Sequence, residues 1–480
     1  MTKQTKIIAT ISDKRCDVDF IRALFNEGMN IVRLNSAHLD VDGFDKIINN
    51  VRAVSSKIGI LIDTKGPEVR VTIAPEPIPI KTGDKLKITG NPNLESTKEL
   101  IALTYKNLVQ DIPVGTDILF DDGEIEVKVI SKTEDYLLCE ALNDGELGSR
   151  KNVNMPGIRL NLPSLTERDK KNIMYAIENN VDFIAHSFVR NKEDVMAVQK
   201  MLDAYKSDIK IIAKIENQDG LDNVDEILEH AYGLMVARGD LGIEIRQEKI
   251  PGVQRILIRK SVIAKKPVIV ATQMLHSMIN SPRPTRAEVT DVANAIFYRT
   301  DAVMLSGETA FGKYPVEAVR TMARIAEEAE KNKLKENDIQ IPVHPYKKDD
   351  ITSFLSKYAV ESMEYLDTKA IITDSFTGKT ARYLAPYRGN CPILAICYKE
   401  KLIRQLALSY GVIPFYQEIV GKDTRHYFFT ALKMLTENGY LNEKDKVAYL
   451  GGSRNVAGGA TFLEINRVNE IMADEKKYLL

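Results

Sequence analysis

The chain has 480 residues, more than one hydrophobic core normally holds, so two to four domains are expected. Its 66 Lys and Arg against 67 Asp and Glu give a net charge of -1, which supplies no electrostatic attraction to nucleic acid or to an anionic membrane. No apolar stretch reaches the length of a membrane span, and the N-terminus lacks the apolar region of a signal peptide, so we expect a cytoplasmic protein.

Short apolar runs alternate with helical patterns along most of the chain. One helical pattern follows the first run, with Phe20, Ile21, Leu24 and Phe25 on its apolar face, and another lies near 41–57. Continuous β-rich runs are typical of parallel strands that are covered on both faces, and eight such strands close a barrel. We therefore predict an α/β fold with a (β/α)₈ TIM barrel. Its strands are the runs at 6–11, 30–35, 58–63, 182–188, 209–215, 233–238, 267–272 and 301–305.

The barrel rhythm is interrupted after the third run. Residues 71–156 begin with a Pro-rich stretch and contain alternating strand patterns, with a DDG hairpin turn at 121–123. We predict an inserted all-β cap domain, resembling a small β-barrel, between barrel segments 1–70 and 157–343. A long insertion of this kind can act as a lid over the barrel mouth.

The pattern changes again near residue 344. Strand patterns at 369–374, 392–397, 412–416 and 446–451 alternate with helices, and 461–468 is predicted as a last, antiparallel edge strand. Residues 344–480 therefore form a C-terminal α/β domain with an open doubly wound sheet, which we expect to serve effector binding or oligomerisation. The four cysteines lack C-x-x-C spacing and are predicted to be buried, reduced thiols: Cys16, Cys139, Cys391 and Cys397.

Charged and polar residues follow nearly every predicted barrel strand, at the end where barrel active sites lie. Glu216 and Asp240 follow adjacent strands, and two carboxylates with open positions suit Mg²⁺. Arg33 and Lys214 are cations beside this position, as transfer of a phosphoryl group requires. The segment RGDLG places backbone N–H groups at a helix start, and Thr272 adds a hydroxyl.

Six segments carry a resemblance to the pyruvate kinase family, in that family's order and over almost the whole chain. They are DTKGPEVR (63–70), IAKIENQDG (212–220), MVARGDLGIEI (235–245), ATQMLHSM (271–278), RPTRAEVTDVANA (283–295) and MLSGETA (304–310). The resemblance implies transfer of the phosphoryl group of phosphoenolpyruvate to ADP, giving pyruvate and ATP in glycolysis. It implies Mg²⁺ (or Mn²⁺) and K⁺ as cofactors, and we expect a homotetramer.

The resemblance also implies roles for individual residues. Lys214 would neutralise charge on the phosphoryl group, Arg33 would hold the phosphate, and Glu216 with Asp240 would hold the divalent metal. The backbone of Gly239 and Asp240, with Thr272, would hold the substrate carboxylate. Protonation of the enolate would involve Thr272 directly or through water. The remaining implied contacts are Asn35, Asp63 and the Thr64 carbonyl for K⁺, and His38, Arg70 and Lys151 for the nucleotide phosphates.

Three departures from the family pattern stand out. The family usually has Phe-Ser where this chain has Ser36-Ala37, which removes a hydroxyl ligand of K⁺. Ser12-Asp13-Lys14 replaces a glycine-proline turn, and Tyr298-Arg299-Thr300-Asp301 replaces Asp-Gly-Ala-Asp. Water, or Ser36 after a change in the loop, would fill the K⁺ shell, unless the ion is dispensable. Because Glu68 is retained beside Asp63, Glu216 and Asp240, we expect a site rich in carboxylates that needs K⁺.

A possible effector site follows the first strand of the C-terminal domain. Hydroxyls, backbone N–H groups and one lysine there suit a phosphate, and the corresponding family loop binds phosphorylated effectors. The glycine-rich segment 451–459 could complete the site, while the alternative is a helix cap beside a flexible loop. The residues are Thr373, Ser375, Thr377, Gly378, Lys379 and Thr380.

Two other functions compete with this interpretation. A different barrel enzyme of phosphoenolpyruvate metabolism would share a metal and an arginine, but it would not need the cap, the K⁺ residues or a nucleotide site. A catalytically impaired sugar-phosphate sensor would not need to retain Lys214, Glu216 and Asp240. The sequence does not define the effector, the nucleotide preference or the proton donor to the enolate.

Overall fold

In the computed structural model, which describes residues 3–332, 350–419, 424–452 and 459–478, the chain begins with three parallel strands and two helices. Helix α1 buries Phe20, Ile21 and Leu24 and partly buries Phe25, the face predicted for it. The elements are β1 (Lys6–Thr10), α1 (Val18–Asn26), β2 (Ile31–Asn35), α2 (Val41–Val54) and β3 (Gly59–Asp63).

Nine short strands and one four-residue helix follow. Seven strands form one sheet in the order β4-β12-β8-β9-β10-β6-β7, and a bridge between Val71 and Leu103 joins its two ends. The DDG turn connects the antiparallel strands β8 and β9, as predicted. The elements are β4 (Val69–Arg70), β5 (Ile78–Ile80), β6 (Lys85–Thr89), β7 (Ile101–Ala102), α3 (Leu108–Asp111), β8 (Asp117–Phe120), β9 (Ile125–Lys132), β10 (Leu137–Ala141), β11 (Gly145–Leu147) and β12 (Asn152–Asn154).

The barrel then resumes and closes in the order β1-β17-β16-β15-β14-β13-β3-β2, with all neighbours parallel. All eight predicted runs are its strands. The elements are α4 (Glu167–Glu178), β13 (Phe183–His186), α5 (Lys192–Ala204), β14 (Lys210–Ile215), α6 (Gln218–Asp222), α7 (Val224–His230), β15 (Gly233–Ala237), α8 (Arg238–Glu244), α9 (Ile250–Ile263), β16 (Val268–Ala271), α10 (Arg286–Phe297), β17 (Ala302–Leu305), α11 (Gly307–Ala310) and α12 (Pro315–Lys331).

The C-terminal part is an open five-stranded sheet in the order β20-β19-β18-β21-β22, whose last strand is antiparallel as predicted. The predicted boundary at 343/344 lies outside the described residues. The elements are α13 (Ile351–Tyr365), β18 (Ala370–Ser375), α14 (Lys379–Leu384), β19 (Ile393–Cys397), α15 (Glu400–Leu406), β20 (Val412–Tyr416), α16 (Thr424–Glu437), β21 (Lys446–Gly451), β22 (Phe462–Arg467) and α17 (Val468–Tyr478).

All four cysteines are free thiols, as predicted. Cys16, Cys139 and Cys397 are buried, whereas Cys391 is only half-buried. None of the helices in the described ranges combines the length and the apolar character needed to cross a membrane.

Arg299, in the turn between α10 and β17, stands where the resembled family has glycine. Its φ of 72° lies in the left-handed region that favours glycine. Its carbonyl accepts a hydrogen bond from Arg388 (2.5 Å). Burial, together with the Arg388 charge, lowers the pKa of the Arg299 guanidinium to about 10. Backbone strain and repulsion between two cations therefore both oppose the folded state here.

We expect Arg299→Gly to stabilise the protein by roughly 0.5–1 kcal/mol, because relief of left-handed strain exceeds the added entropy of the unfolded chain. Urea unfolding would measure the change. Lys206→Gly is a matched control, since Lys206 is also left-handed (φ 51°) but exposed, and its gain should be smaller. Destabilisation by Arg299→Gly would show that packing of the buried side chain outweighs the strain.

Candidate active site

The carboxyl ends of the barrel strands gather most of the predicted site residues at one rim. Arg33 lies on β2, Asp63 ends β3, Lys214 lies on β14, Asp240 lies in α8 and Thr272 follows β16. This is the expected consequence of a closed parallel barrel, in which all strands end on the same face.

Four side chains form a continuous charged cluster in the barrel mouth. Asp63 Oδ2 accepts hydrogen bonds from Arg33 Nε (2.9 Å) and Nη2 (2.5 Å) and lies 3.6 Å from Lys214 Nζ. Lys214 Nζ also lies 2.7 Å from Glu216 Oε1. Asp63 and Glu216 are only 2% and 1% exposed, so these charges compensate one another largely without water.

Burial and mutual attraction set the pKa values in this cluster. Burial alone would raise the pKa of Asp63, but the charges of Arg33 and Lys214 outweigh it and hold that pKa below its usual range. Burial would lower the pKa of Lys214, yet Glu216 and Asp63 raise it. For Glu216 burial dominates and raises the pKa to about 7, against the lowering effect of Lys214. Lys214 is therefore a fixed cation.

Glu216 and Asp240 fit a divalent cation. Glu216 Oε2 accepts the Phe188 amide (2.7 Å), whereas Oε1 is paired with Lys214 Nζ (2.7 Å) and meets no other donor among the described residues. The Asp240 charge acts on both Glu216 and Lys214, so its carboxylate is nearby. Within the part of the chain that the structure describes, no three His, Cys, Asp or Glu side chains form a metal-binding group. A Mg²⁺ ion here would need oxygen ligands from outside the chain, as it commonly does.

Unpartnered oxygens mark the place predicted for K⁺. Asn35 and Asp63 are register partners on β2 and β3. Asp63 Oδ1 and Ser36 Oγ are buried and have no hydrogen-bond partner among the described residues. The Thr64 carbonyl accepts the Ser187 hydroxyl (2.7 Å), and Asn35 Oδ1 accepts the Ala37 amide (3.1 Å). Orphaned oxygens of this kind fit an oxygen-seeking cation.

The sequence interpretation counts Glu68 among the negative charges that a K⁺ ion would have to balance, and for Glu68 this expectation is wrong. Its Oε2 lies 3.3 Å from Lys65 Nζ and 2.6 Å from Arg70 Nη2. Glu68 is therefore neutralised by its own loop. The sequence interpretation overlooked these cations because they lie beside Glu68 rather than on another strand.

Thr272 is held in an unusual backbone conformation, with φ of 68°. Its hydroxyl donates to the Ala271 carbonyl (2.6 Å) and accepts the Gly239 amide (2.8 Å). The Gly239 N–H, predicted to bind a carboxylate, is thus engaged by Thr272 in this arrangement. Such strain at a strand end is typical of sites that hold a group in one position.

Three further residues have roles that the sequence interpretation missed. Ser187 accepts a hydrogen bond from Lys214 Nζ (2.8 Å). Arg238 donates to the Thr272 carbonyl (2.6 Å) and is itself held by Asp291 (2.6 Å). Arg238 and Asp291 lie in two of the family segments and Ser187 lies in the fourth predicted strand run, but only the fold shows what they contact.

Glu308, which follows the eighth barrel strand, has a structural role. It is buried and accepts the amides of Leu275 and Ser306.

A cleft of about 600 Å³ separates the β insertion from the barrel and holds two of the predicted nucleotide contacts. Arg70 and Lys151 line it together with Asp240. Lys151 pairs with Asp121 (2.5 Å) at the edge of the insertion. His38 is exposed and does not line this cleft. Arg70 and Lys151 are therefore placed to meet one ligand beside the barrel mouth, and His38 is not.

The predicted effector residues form a tight turn between β18 and α14. Ser375 Oγ accepts the Gly378 amide (2.7 Å), and Gly378 has the positive φ (75°) that glycine permits. Lys379 Nζ lies 5.4 Å from the Tyr383 ring centre, with Lys265 Nζ over the same ring at 5.1 Å. Lys379 thus shares this ring with a barrel lysine. Residues 453–458, proposed to complete the site, lie outside the described residues.

Comparison with known proteins agrees with this arrangement. Residues 2–319 match the family model described as pyruvate kinase, barrel domain, and residues 354–466 match pyruvate kinase, alpha/beta domain. The chain is 47% identical over 476 residues to a pyruvate kinase of Borreliella burgdorferi, covering 98% of each. It is 42% identical over 482 residues to that of Geobacillus stearothermophilus, covering 98% of this chain and 82% of the relative.

A solved structure shows the same fold. The crystal structure of a pyruvate kinase from Cryptosporidium parvum superposes with a TM-score of 0.91 at 36% identity, covering 97% of this chain and 96% of that one. The barrel, the β insertion and the C-terminal sheet are therefore shared as one arrangement.

Proposed function

Because the chain belongs to the pyruvate kinase family, whose members transfer the phosphoryl group of phosphoenolpyruvate to ADP, we propose that this transfer takes place on the charged cluster of the barrel mouth. The observation that carries the proposal is the Lys214 ammonium, held by Ser187, Asp63 and Glu216. The match over both parts of the chain argues against another barrel enzyme. The intact cluster argues against an inactive sensor.

Arg33 and Lys214 would receive the phosphoryl oxygens. Both cations are already paired with buried carboxylates. On binding, the substrate's anionic oxygens would take the place of carboxylate oxygens as partners of the two cations, and the cations would not need to move. As the enolate leaves, charge spreads over the phosphoryl oxygens, and the fixed ammonium of Lys214 stabilises it.

Thr272 would act on the enolate side of the substrate. Its hydroxyl donates a hydrogen bond to the Ala271 carbonyl. This hydrogen bond must break before the hydroxyl can donate its proton directly to the enolate carbon. A water molecule held by this hydroxyl is the simpler route. The Gly239 and Asp240 amides would then bind the substrate carboxylate once Thr272 releases Gly239.

Two cations complete the proposed site. Mg²⁺ or Mn²⁺ would be held by Glu216 and Asp240, and it would neutralise and orient the phosphoryl oxygens. K⁺ would be held by Asn35, Asp63 and the Thr64 carbonyl, with Ser36 Oγ in place of the serine that the family has at position 37. This placement is supported by two buried oxygens that lack a hydrogen-bond partner in the described part of the chain, Asp63 Oδ1 and Ser36 Oγ.

Arg70 and Lys151 would contact the phosphates of ADP in the cleft below the insertion, and the insertion, residues 71–156, would exclude water during transfer. We assign His38 a lesser contact, because it is exposed and away from that cleft.

We propose a cytoplasmic homotetramer. Helix α13 and the edge strand β22 leave large apolar side chains exposed, which supports self-association: Ile351, Phe354, Tyr358 and Phe462. The free thiols suit a reducing compartment.

Replacing Lys214 by Met should lower turnover by roughly 10²-fold or more, with a smaller change in the KM for phosphoenolpyruvate, because the ammonium acts mainly on the transition state. A coupled assay for pyruvate would measure both. Lys210→Met, at the other end of the same strand, is the control and should keep normal turnover. Turnover of Lys214→Met close to wild type would remove Lys214 from the chemistry.

Potassium should activate the enzyme. In a tetramethylammonium buffer at saturating Mg²⁺, Ser36→Ala should raise the half-saturating K⁺ several-fold because it removes a ligand, and Ala37→Ser should lower it by restoring the family's hydroxyl. A flat activity profile would refute the dependence. An unchanged midpoint in both variants would place the ion elsewhere.

A sugar phosphate should bind the loop 373–380. Calorimetry on the full chain with a panel of sugar mono- and bisphosphates should show binding that Lys379→Glu weakens about tenfold or more through charge reversal. Lys369→Glu, an exposed lysine of the same domain paired with Asp367, is the control. Equal affinities in the two variants would leave the loop as a helix cap only.

A further inference from the structure

The lower opening of the barrel, at the amino ends of its strands, is filled by the C-terminal domain. The link between α15 and β20 contributes Ala407 and Leu408 to the core inside the barrel, and Leu408 is fully buried there. The interior of a barrel is packed in layers of side chains. Ala407 and Leu408 act as the layer nearest the amino ends of the strands, although they belong to the C-terminal domain. The barrel residues of that core include Ala185 of β13, Ala271 of β16 and Met304 of β17.

Two buried ion pairs flank this plug, which we define as Ala407 and Leu408. Arg404 Nε donates to Asp182 Oδ1 (2.7 Å), and Arg388 Nη1 donates to Asp301 Oδ1 (3.1 Å). The two aspartates immediately precede β13 and β17, the fourth and eighth barrel strands. These strands lie opposite each other in the closed ring, so the C-terminal domain holds the barrel at two opposite points.

Each aspartate also joins its strand to the preceding one. Asp182 Oδ2 accepts the amide of Ile60 on β3 (2.9 Å), and Asp301 Oδ2 accepts the amide of Val268 on β16 (3.1 Å). Each carboxylate thus links a barrel amide to an arginine of the C-terminal domain, and Asp182 Oδ2 also accepts Arg52 Nη2 of the barrel (3.1 Å). Loss of either C-terminal arginine would remove a charged donor from a buried carboxylate.

The same strands and core lead upward to the active site. Strand β13 leads to Ser187, which contacts Lys214. The core that contains Leu408 reaches Ala185, whose carbonyl accepts the Thr64 amide, and Ala271, whose carbonyl accepts the Thr272 hydroxyl. A packed core has low compressibility, so a change at its base is transmitted to its top.

We propose that Leu408, Arg388 and Arg404 are positioning residues for phosphoryl transfer. They fix the spacing of the fourth and eighth strands at the amino ends of these strands. They thereby hold three active-site residues in their reactive positions: Ser187, Lys214 and Thr272. The proposal rests on the roles assigned above to Lys214 and Thr272.

Truncation of the plug tests this in the full chain. Leu408→Ala should lower kcat roughly tenfold per folded molecule, since small displacements of reacting groups are costly. Circular dichroism would set the folded fraction, and assays would run well below the unfolding midpoint. Leu408→Met, which conserves volume, should restore most of the activity. Leu432→Ala is the matched control, because Leu432 is equally buried in the outer core of the C-terminal domain, and it should keep normal kcat.

Coupling to the site distinguishes positioning from general stability. Leu408→Ala combined with Ser187→Ala should lose less activity than the product of the single losses, because both disturb the placement of Lys214. For Leu432→Ala combined with Ser187→Ala, the loss of activity should equal the product of the two single losses. If Leu408→Ala does not fold, Arg388→Lys replaces it. Its control is then Arg320→Lys, because Arg320 forms a half-buried pair with Glu27 at the barrel surface, away from the plug.

Normal turnover in folded Leu408→Ala, with multiplicative behaviour beside Ser187→Ala, would overturn the proposal. A failure of the proposed function would look different, because the wild-type chain itself, and not only these variants, would then lack transfer activity.

Discussion

One buried carboxylate, that of Asp63, allows two cations to occupy the same barrel mouth. Arg33 and Lys214 both approach its Oδ2 atom, and without that negative charge they would repel each other in a poorly hydrated place. In the proposed transfer, this arrangement would present preorganised positive charge to the anionic substrate, and such electrostatic stabilisation is the largest single source of rate enhancement in many enzymes. Oδ1 of the same carboxylate has no hydrogen-bond partner among the residues that the structure describes, so Asp63 would also serve the proposed monovalent cation.

The parts of the fold that follow from local sequence were predictable. The barrel strands are largely buried, so they form apolar runs that stand out from the amphipathic helices between them, although Arg33 interrupts β2 and Lys214 interrupts β14. The rim residues followed from the strands, because a parallel barrel brings every carboxyl end to one face. The last, antiparallel edge strand β22 was also predicted, and its side chains are exposed or half-buried, as befits the edge of a sheet.

What escaped prediction depends on contacts between distant residues. Glu68 was assigned to a carboxylate-rich site, whereas Lys65 and Arg70 neutralise it. Nothing local shows that Arg238 holds the Thr272 carbonyl, or that the residues after α15 enter the barrel from below. Ala407 and Leu408 read as an ordinary apolar stretch, since the sequence marks a residue as buried without indicating which core receives it.

The β insertion leaves and re-enters the barrel at neighbouring points. Val69 of β4 pairs with Val153 of β12, so the two junctions are held side by side by the insertion's own sheet. For the barrel, the long insertion is therefore equivalent to a short loop, because its two ends lie side by side. Strands β3 and β13, which flank the insertion in the chain, pair in normal parallel register. Closely spaced junctions of this kind make a domain exchangeable. Lineages, or designers, can lengthen, shorten or replace the insertion while the underlying barrel keeps its strand order and its chemistry.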